Sequence, residues 1–236
     1  MENIFTDEDL KTCFKQYLIY WNTEDTYFRK QREYAGTNLL YEWPHETILY
    51  CRMSDPFESV KYKNNGKQHA EILLLKNLHS QFVGEKAKIM LAGLDLRDAS
   101  TGSEDDVQEL YDNGTEVTIS ITQNYSPCGV CAKEIIEFIK KCKVMYNYEI
   151  KMCISVGTFY YFNTYEEDLI SLLVAGVDLQ LIEDDLRNKI KALVTDGLDD
   201  FLELSEMNEF FNKREKWDHL NIKEIHKKGL EIKERK

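Results

Sequence analysis

Three patterns in this chain of 236 residues predict an α/β fold. Residues 116–123 alternate, with Val117, Ile119 and Ile121 on one face, as a half-buried strand does. A strand at about 149–156, a helix at about 165–175 and a strand at 177–182 follow one another at the length of a right-handed parallel crossover. Beyond Glu183 the apolar residues recur at helical spacing to the end.

The remaining elements fall into order around these. Thr6 ahead of Asp7, Glu8 and Asp9 marks a helix start, and Leu10, Phe14, Tyr17 and Leu18 continue the helical period. Residues 37–43 and 47–53 read as a strand pair joined by Pro44-His45-Glu46. A polar, basic loop over 61–68 leads into a helix carrying His69 and Glu71, with residues 72–75 and Leu78 on its buried side. Residues 88–94 suit a short strand. Residues 97–114 are acidic and turn-rich and read as a surface insertion, with Asn113-Gly114 as a turn. Ser126 as cap and Pro127 in the first turn open a helix that runs through Ile135, Ile136, Phe138 and Ile139 to Cys142. Gly176 fits the C-terminal cap of the helix before it.

A hydrophobic share of 43% supports a real core, and three prolines argue against long disordered linkers. No run reaches the roughly 18 apolar residues of a membrane helix. The start, Met1-Glu2-Asn3-Ile4-Phe5-Thr6-Asp7-Glu8, lacks the basic and apolar regions of a secretory signal. The six cysteines are therefore expected as reduced thiols, in the cytoplasm, the nucleus or both. A net charge of −12 disfavours indiscriminate nucleic-acid binding, which needs a basic footprint.

Chemistry is concentrated in His69-Ala70-Glu71 and, much later, Ser126-Pro127-Cys128-Gly129-Val130-Cys131. One imidazole and two thiolates are a hydrolytic zinc set that leaves a fourth position for water. Cys128 and Cys131, three apart at a helix start, face the same way, and the helix dipole favours their thiolates. Glu71, two residues from His69, can carry protons without binding the metal. His-x-Glu followed by Pro-Cys-x-x-Cys is the pattern of zinc-dependent nucleobase deaminases. In that chemistry Glu71 takes a proton from water, delivers it to the ring N3 of cytosine, and protonates the amine leaving C4. Either fragment alone has a plainer reading: a redox pair, a structural zinc clip or a chance match. His45, His79, His219 and His226 lack partners at ligand spacing, and Cys13, Cys51, Cys142 and Cys153 sit in apolar patterns expected of buried thiols.

On these motifs the chain resembles the activation-induced deaminase/APOBEC family of polynucleotide cytidine deaminases, over about residues 37–182. Thr37-Asn38-Leu39-Leu40-Tyr41-Glu42 is similar to the family's first strand, and Asn64-Asn65-Gly66 to its asparagine-bearing loop. Thr122-Gln123-Asn124-Tyr125-Ser126-Pro127-Cys128 resembles its Ser-Trp-Ser-Pro-Cys signature, with tyrosine in place of tryptophan, and residues 172–177 its Leu-x-x-Ala-Gly-Val helix end. The resemblance implies a three-layer cytidine-deaminase-like fold: a five-stranded mixed sheet flanked by helices. Residues 1–183 would form the catalytic domain, with the acidic insertion at about 97–114, and 184–236 a C-terminal helical extension packed on it.

The resemblance also assigns roles. Zn2+ would be held by His69, Cys128 and Cys131, with Glu71 catalytic. Tyr125 and Phe159 would form opposite walls of the cytosine pocket, Thr37 and Asn64 would hold the target nucleotide's phosphate and sugar, and the Ser126 backbone would read the base edge. Ala70 belongs with these substrate contacts. Arg29, Lys30 and Arg32, and Lys61, Lys63 and Lys67, precede the two loops at the pocket mouth, interleaved with aromatics that could stack bases, Tyr160 among them. Their plainer reading is solvated charge with the rings turned into the core.

The implied function is deamination of cytosine to uracil in single-stranded DNA, in a mutator or antiviral (innate-immunity) role. RNA cytidine, tRNA adenosine, and free cytidine or dCMP deamination are alternatives within the same chemistry. Outside it stands a catalytically silent zinc protein that binds nucleic acid, whose mark would be loss of Glu71. Oligomeric state is not legible, and Trp217, Leu220 and Ile225 would dock the C-terminal helix on the body or on a partner.

Overall fold

The computed structural model describes residues 5–13, 33–34, 37–40, 47–64, 68–98, 115–159, 166–195 and 204–235. The alternation around Val117 becomes β5 (Thr115–Tyr125), the middle strand of a five-stranded mixed sheet flanked by helices. In chain order the other strands are β1 (Glu33–Tyr34), β2 (Thr37–Leu40), β3 (Ile48–Met53), β4 (Val60–Lys63), β6 (Tyr148–Thr158) and β7 (Asp178–Leu181). The helices are α1 (Asp7–Cys13), α2 (Ala70–Asp98), α3 (Gly129–Lys141), α4 (Glu166–Val174), α5 (Asp184–Thr195) and α6 (Leu204–Glu234).

The sheet order is β4-β3-β5-β6-β7, with β3 antiparallel to both neighbours and β5, β6 and β7 mutually parallel. Each parallel connection passes through a helix, α3 and then α4, as the crossover spacing required. Val117, Ile119 and Ile121 face the core beside Met152 and Ile154, where Leu74 and Leu78 of α2, Ile135 of α3 and Leu172 of α4 cover them. Phe82 of α2 sits at the base of this core. It stacks on Phe138 at 5.8 Å and meets Phe57 and Tyr148 edge-on at 4.7 and 5.0 Å.

Local signals explain the helix ends. Thr6 Oγ1 accepts the Asp9 N–H, and Asp9 in turn accepts the Thr6 N–H, a reciprocal cap that starts α1. Gly176 ends α4 at φ +94°, with its N–H bonded to Leu173 and that of Val177 to Leu172. Ser126 does not cap α3. The cap position is Cys128, whose carbonyl accepts the Ala132 N–H at 2.8 Å.

Three expectations are corrected. Residues 37–40, expected to pair with 47–53, do not: β2 pairs with β1, while β3 has both edges taken, by β4 and β5. Residues 41–46 lie outside the described residues. The basic loop over 61–68 begins instead as strand β4, where Val60 and Tyr62 turn inward and Lys61 and Lys63 outward. Lysine on an edge strand is an ordinary guard against stray pairing, and it hid the alternation. Residues 88–94, expected as a strand, belong to α2. Leucine, alanine, methionine and lysine are good helix formers, and no proline interrupts Ala70–Asp98.

The C-terminal helix α6 lies on the body. Trp217 and Ile222 pack against the core, Ile225 is buried and Leu220 faces outward. Arg187 of α5 bonds Glu215 of α6 at 3.0 Å, and His226 donates to the Leu179 carbonyl on edge strand β7.

Two glycines should respond with opposite sign in urea melts. Nothing lies within 4 Å of a Cβ built on either. Gly176→Ala should cost about 1–2 kcal/mol, because an alanine is strained in the left-handed region. Gly84→Ala, inside α2, should stabilise by about 0.5–1 kcal/mol.

Candidate metal centre

Two chain segments converge above the end of β5. His69 immediately precedes α2 and acts as its cap, its carbonyl accepting the Leu73 N–H at 3.1 Å. Cys128 does the same for α3, and Cys131 lies one turn in. The His69 Nδ1 is 3.4 Å from Cys128 Sγ and 3.3 Å from Cys131 Sγ. All three donor atoms lie within 4.8 Å of one another. An ion about 2.3 Å from sulfur and about 2.0 Å from nitrogen in tetrahedral geometry sets such atoms about 3.5 Å apart. The residues therefore fit a metal ion in both spacing and donor type. Among the described residues this is the one group of its kind. The sulfurs are buried and the imidazole is exposed, so the centre opens on the histidine side.

The cysteines are electrically unlike the chain's other thiols. A hydrogen bond from the Cys131 side chain holds Cys128 down at about 5 against the effect of burial, helped by the backbone N–H groups of Cys131 and Val130 and by His69. Cys131, which donates to that thiolate, is pushed up in consequence, and burial adds to the shift. The two thiols are hydrogen-bonded to each other, and a bound cation would release protons from them. By contrast, burial alone pushes Cys51 and Cys142 up to about 12, which leaves them inert.

Glu71 stands beside this group, 3% exposed. Burial is the main cause that raises its carboxyl to about 7. Its own backbone N–H and His69 oppose the rise, and the Cys128 charge adds to it. Its Oε2 has no hydrogen-bond partner. A buried acceptor without a donor is costly, and this one lies in the same cluster as the two thiols, with Cys131 hydrogen-bonded to the Glu71 side chain.

The other expected site residues are distributed unevenly. Ala70, Tyr125 and Ser126 are buried beside the donors in sequence and structure. Phe159 follows β6 and packs into the main core, the plainer reading of that ring. Thr37 stands in β2 opposite Tyr34. Asn64 follows β4, with its N–H bonded to the Thr47 carbonyl at 3.0 Å. Lys61 is ion-paired with Asp9 at 2.9 Å, and Lys63 points outward from the edge strand. Arg29, Lys30, Arg32, Lys67 and Tyr160 lie outside the described residues.

Three polar residues at this end of the sheet escaped the sequence reading. Gln123 is fully buried, donates to the Tyr125 carbonyl, and has an Oε1 without a partner. Asn124 accepts the Ile48 N–H at 3.0 Å and so locks β3 to β5. Asp218 of α6 reaches the end of β6. The signal for Gln123 was present, since it continues the inward series Val117, Ile119, Ile121.

No protein-family model matches this chain, and no curated protein matches it.

Elemental analysis should find one metal ion per chain, lost in His69→Ala, Cys128→Ser and Cys131→Ser and kept in Cys153→Ser. Chelator-stripped protein should also show a pH signature from Glu71. A raised carboxyl pKa favours folding fully below its ordinary value of 4.5, and that contribution is lost as pH climbs through about 7. Glu71→Gln should therefore stabilise stripped protein near pH 8, by up to about 3 kcal/mol, with little effect near pH 4 in matched urea melts.

Proposed function

We propose that this chain is a zinc-dependent cytidine deaminase, a divergent relative of the activation-induced deaminase/APOBEC group, that converts cytosine to uracil in single-stranded DNA. One observation carries the reading: a buried carboxylate with an unpartnered oxygen stands beside one imidazole and two thiols whose donor atoms are spaced for a single ion. His69, Cys128 and Cys131 would hold zinc, which suits two sulfurs and a nitrogen better than harder cations do. When bound, the ion supplies acidity to water near neutral pH.

The chain's own residues account for the proton traffic. Glu71 accepts a proton from the attacking water through Oε2 and delivers it to the base N3, which prepares C4 for addition. It then takes the proton of the hydroxyl added at C4 and passes it to the exocyclic nitrogen, so that the C4–N bond breaks, ammonia leaves and C4 becomes a carbonyl. Burial suits it to returning the proton, because it raises the carboxyl above its ordinary range. Tyr125 and Ser126, at the end of β5, would line the base pocket beside Cys128. Action on polynucleotides in the cytoplasm or nucleus, and a mutator or antiviral role, belong to this proposal.

A free cytidine nucleotide is the second reading. It is favoured by the Lys61–Asp9 ion pair, which engages one expected nucleic-acid contact elsewhere. One assay separates the two. Purified protein is incubated with cytosine-containing single-stranded DNA, the same sequence as RNA, and dCMP, and uracil is scored. Uracil in the DNA is the expected result. Turnover of dCMP with neither oligonucleotide changed would replace the polynucleotide reading with the second. Glu71→Gln should stay folded and metal-loaded while losing at least about 100-fold in rate. An active Glu71→Ala variant would remove the deaminase mechanism.

A further inference from the structure

The C-terminal helix delivers a buried acid to the end of β6, the strand beside the one that leads to Cys128. Asp218 is 2% exposed, on the stripe of α6 that also carries Phe211, Ile222 and Ile225. Its Oδ1 accepts the Thr158 hydroxyl at 2.9 Å and the Phe159 N–H at 3.4 Å. Thr158 is wholly buried, is the last residue of β6, and lies opposite Tyr125. Its carbonyl accepts the Ser126 N–H at 2.9 Å. That is the last backbone bond before the chain leaves the sheet for Pro127 and Cys128.

A helix with only an apolar duty gains nothing from a carboxyl at the centre of its packed stripe, since burying one is costly unless it is used. Here the acid fixes the side chain of a residue that anchors Ser126, and the N–H that follows it. Cys128 makes no side-chain cap bond. The Ser126–Thr158 bond, two residues earlier, fixes where the chain leaves the sheet for Cys128.

We infer that Asp218 is a positioning residue for the metal centre: acting through Thr158 and Ser126, it holds Cys128 and Cys131 at ligating distance from His69. The C-terminal helix is thereby part of the site without touching it. This rests on the reading of His69, Cys128 and Cys131 as metal ligands, and it concerns metal retention, whichever substrate is turned over.

The full chain is loaded with zinc, and transfer to a chromogenic chelator is timed at a temperature where circular dichroism shows every variant folded. The cobalt-substituted protein is recorded in parallel for its thiolate charge-transfer band. Asp218→Ala and Thr158→Val should each release zinc about 10- to 100-fold faster than the parent and shift the cobalt band. The double variant should be no worse than either single one. Asp218→Asn keeps an acceptor oxygen for both donors and should behave like the parent. If Asp218→Ala fails to fold, Thr158→Val, nearly isosteric, decides alone. Lower melting temperatures with parental zinc release and an unshifted cobalt band would overturn the inference and leave Asp218 a packing residue. A parent chain that takes up neither metal would overturn the metal centre itself, which is seen before any variant is made.

Discussion

Two helix starts are brought together at one end of a parallel strand pair, and the site exists only because they meet. α2 and α3 lie on the same face of the sheet, and each presents its cap residue, His69 and Cys128, at the same edge. Neither sulfur nor imidazole could be placed to a few tenths of an ångström by a loop alone. The two helices are pinned to each other by Phe82, midway along α2, against Phe138 near the end of α3, in an aromatic cluster closed by Phe57, Tyr146 and Tyr148. With that contact made and β5 fixed on both sides by β3 and β6, the helix starts have little freedom. Rigid elements hold donors more precisely than flexible ones, and here both are helices seated on one sheet.

The same convergence sets the electrostatics. A carboxyl and two thiols are buried against an imidazole that stays exposed, so the charges of the buried groups depend on one another. The two thiols titrate as a pair, and burial raises the carboxyl. Such mutual adjustment is unstable in energy but useful in chemistry, because a small change in bound charge moves a proton.

Much of this was legible from residue order. His69, Glu71, Cys128 and Cys131 stood out by spacing, and the series Val117, Ile119, Ile121 marked the central strand. The parallel strands and the Gly176 cap followed from length and residue type. What failed did so for physical reasons. Lys61 and Lys63 disguise an edge strand, since outward lysines make an amphipathic strand look like a charged loop. Residues 88–94 are apolar enough for a strand, yet a helix already propagating from Ala70 absorbs them at little cost. Asp218 was opaque because its meaning lies in Thr158, distant in sequence and identifiable only once α6 is seen to cross the end of β6.

The length of α2 bears on how the chain's negative charge is distributed. Its 29 residues rise about 43 Å from a start at the metal ligands. β5 likewise begins at Thr115, the opposite tip of an 11-residue strand from Tyr125. Asp98 and Thr115 thus stand at the ends of α2 and β5 away from His69 and Tyr125. A net charge of −12 is a sum over the whole sequence, and screening confines what an approaching anion meets at the histidine to the charges nearest it.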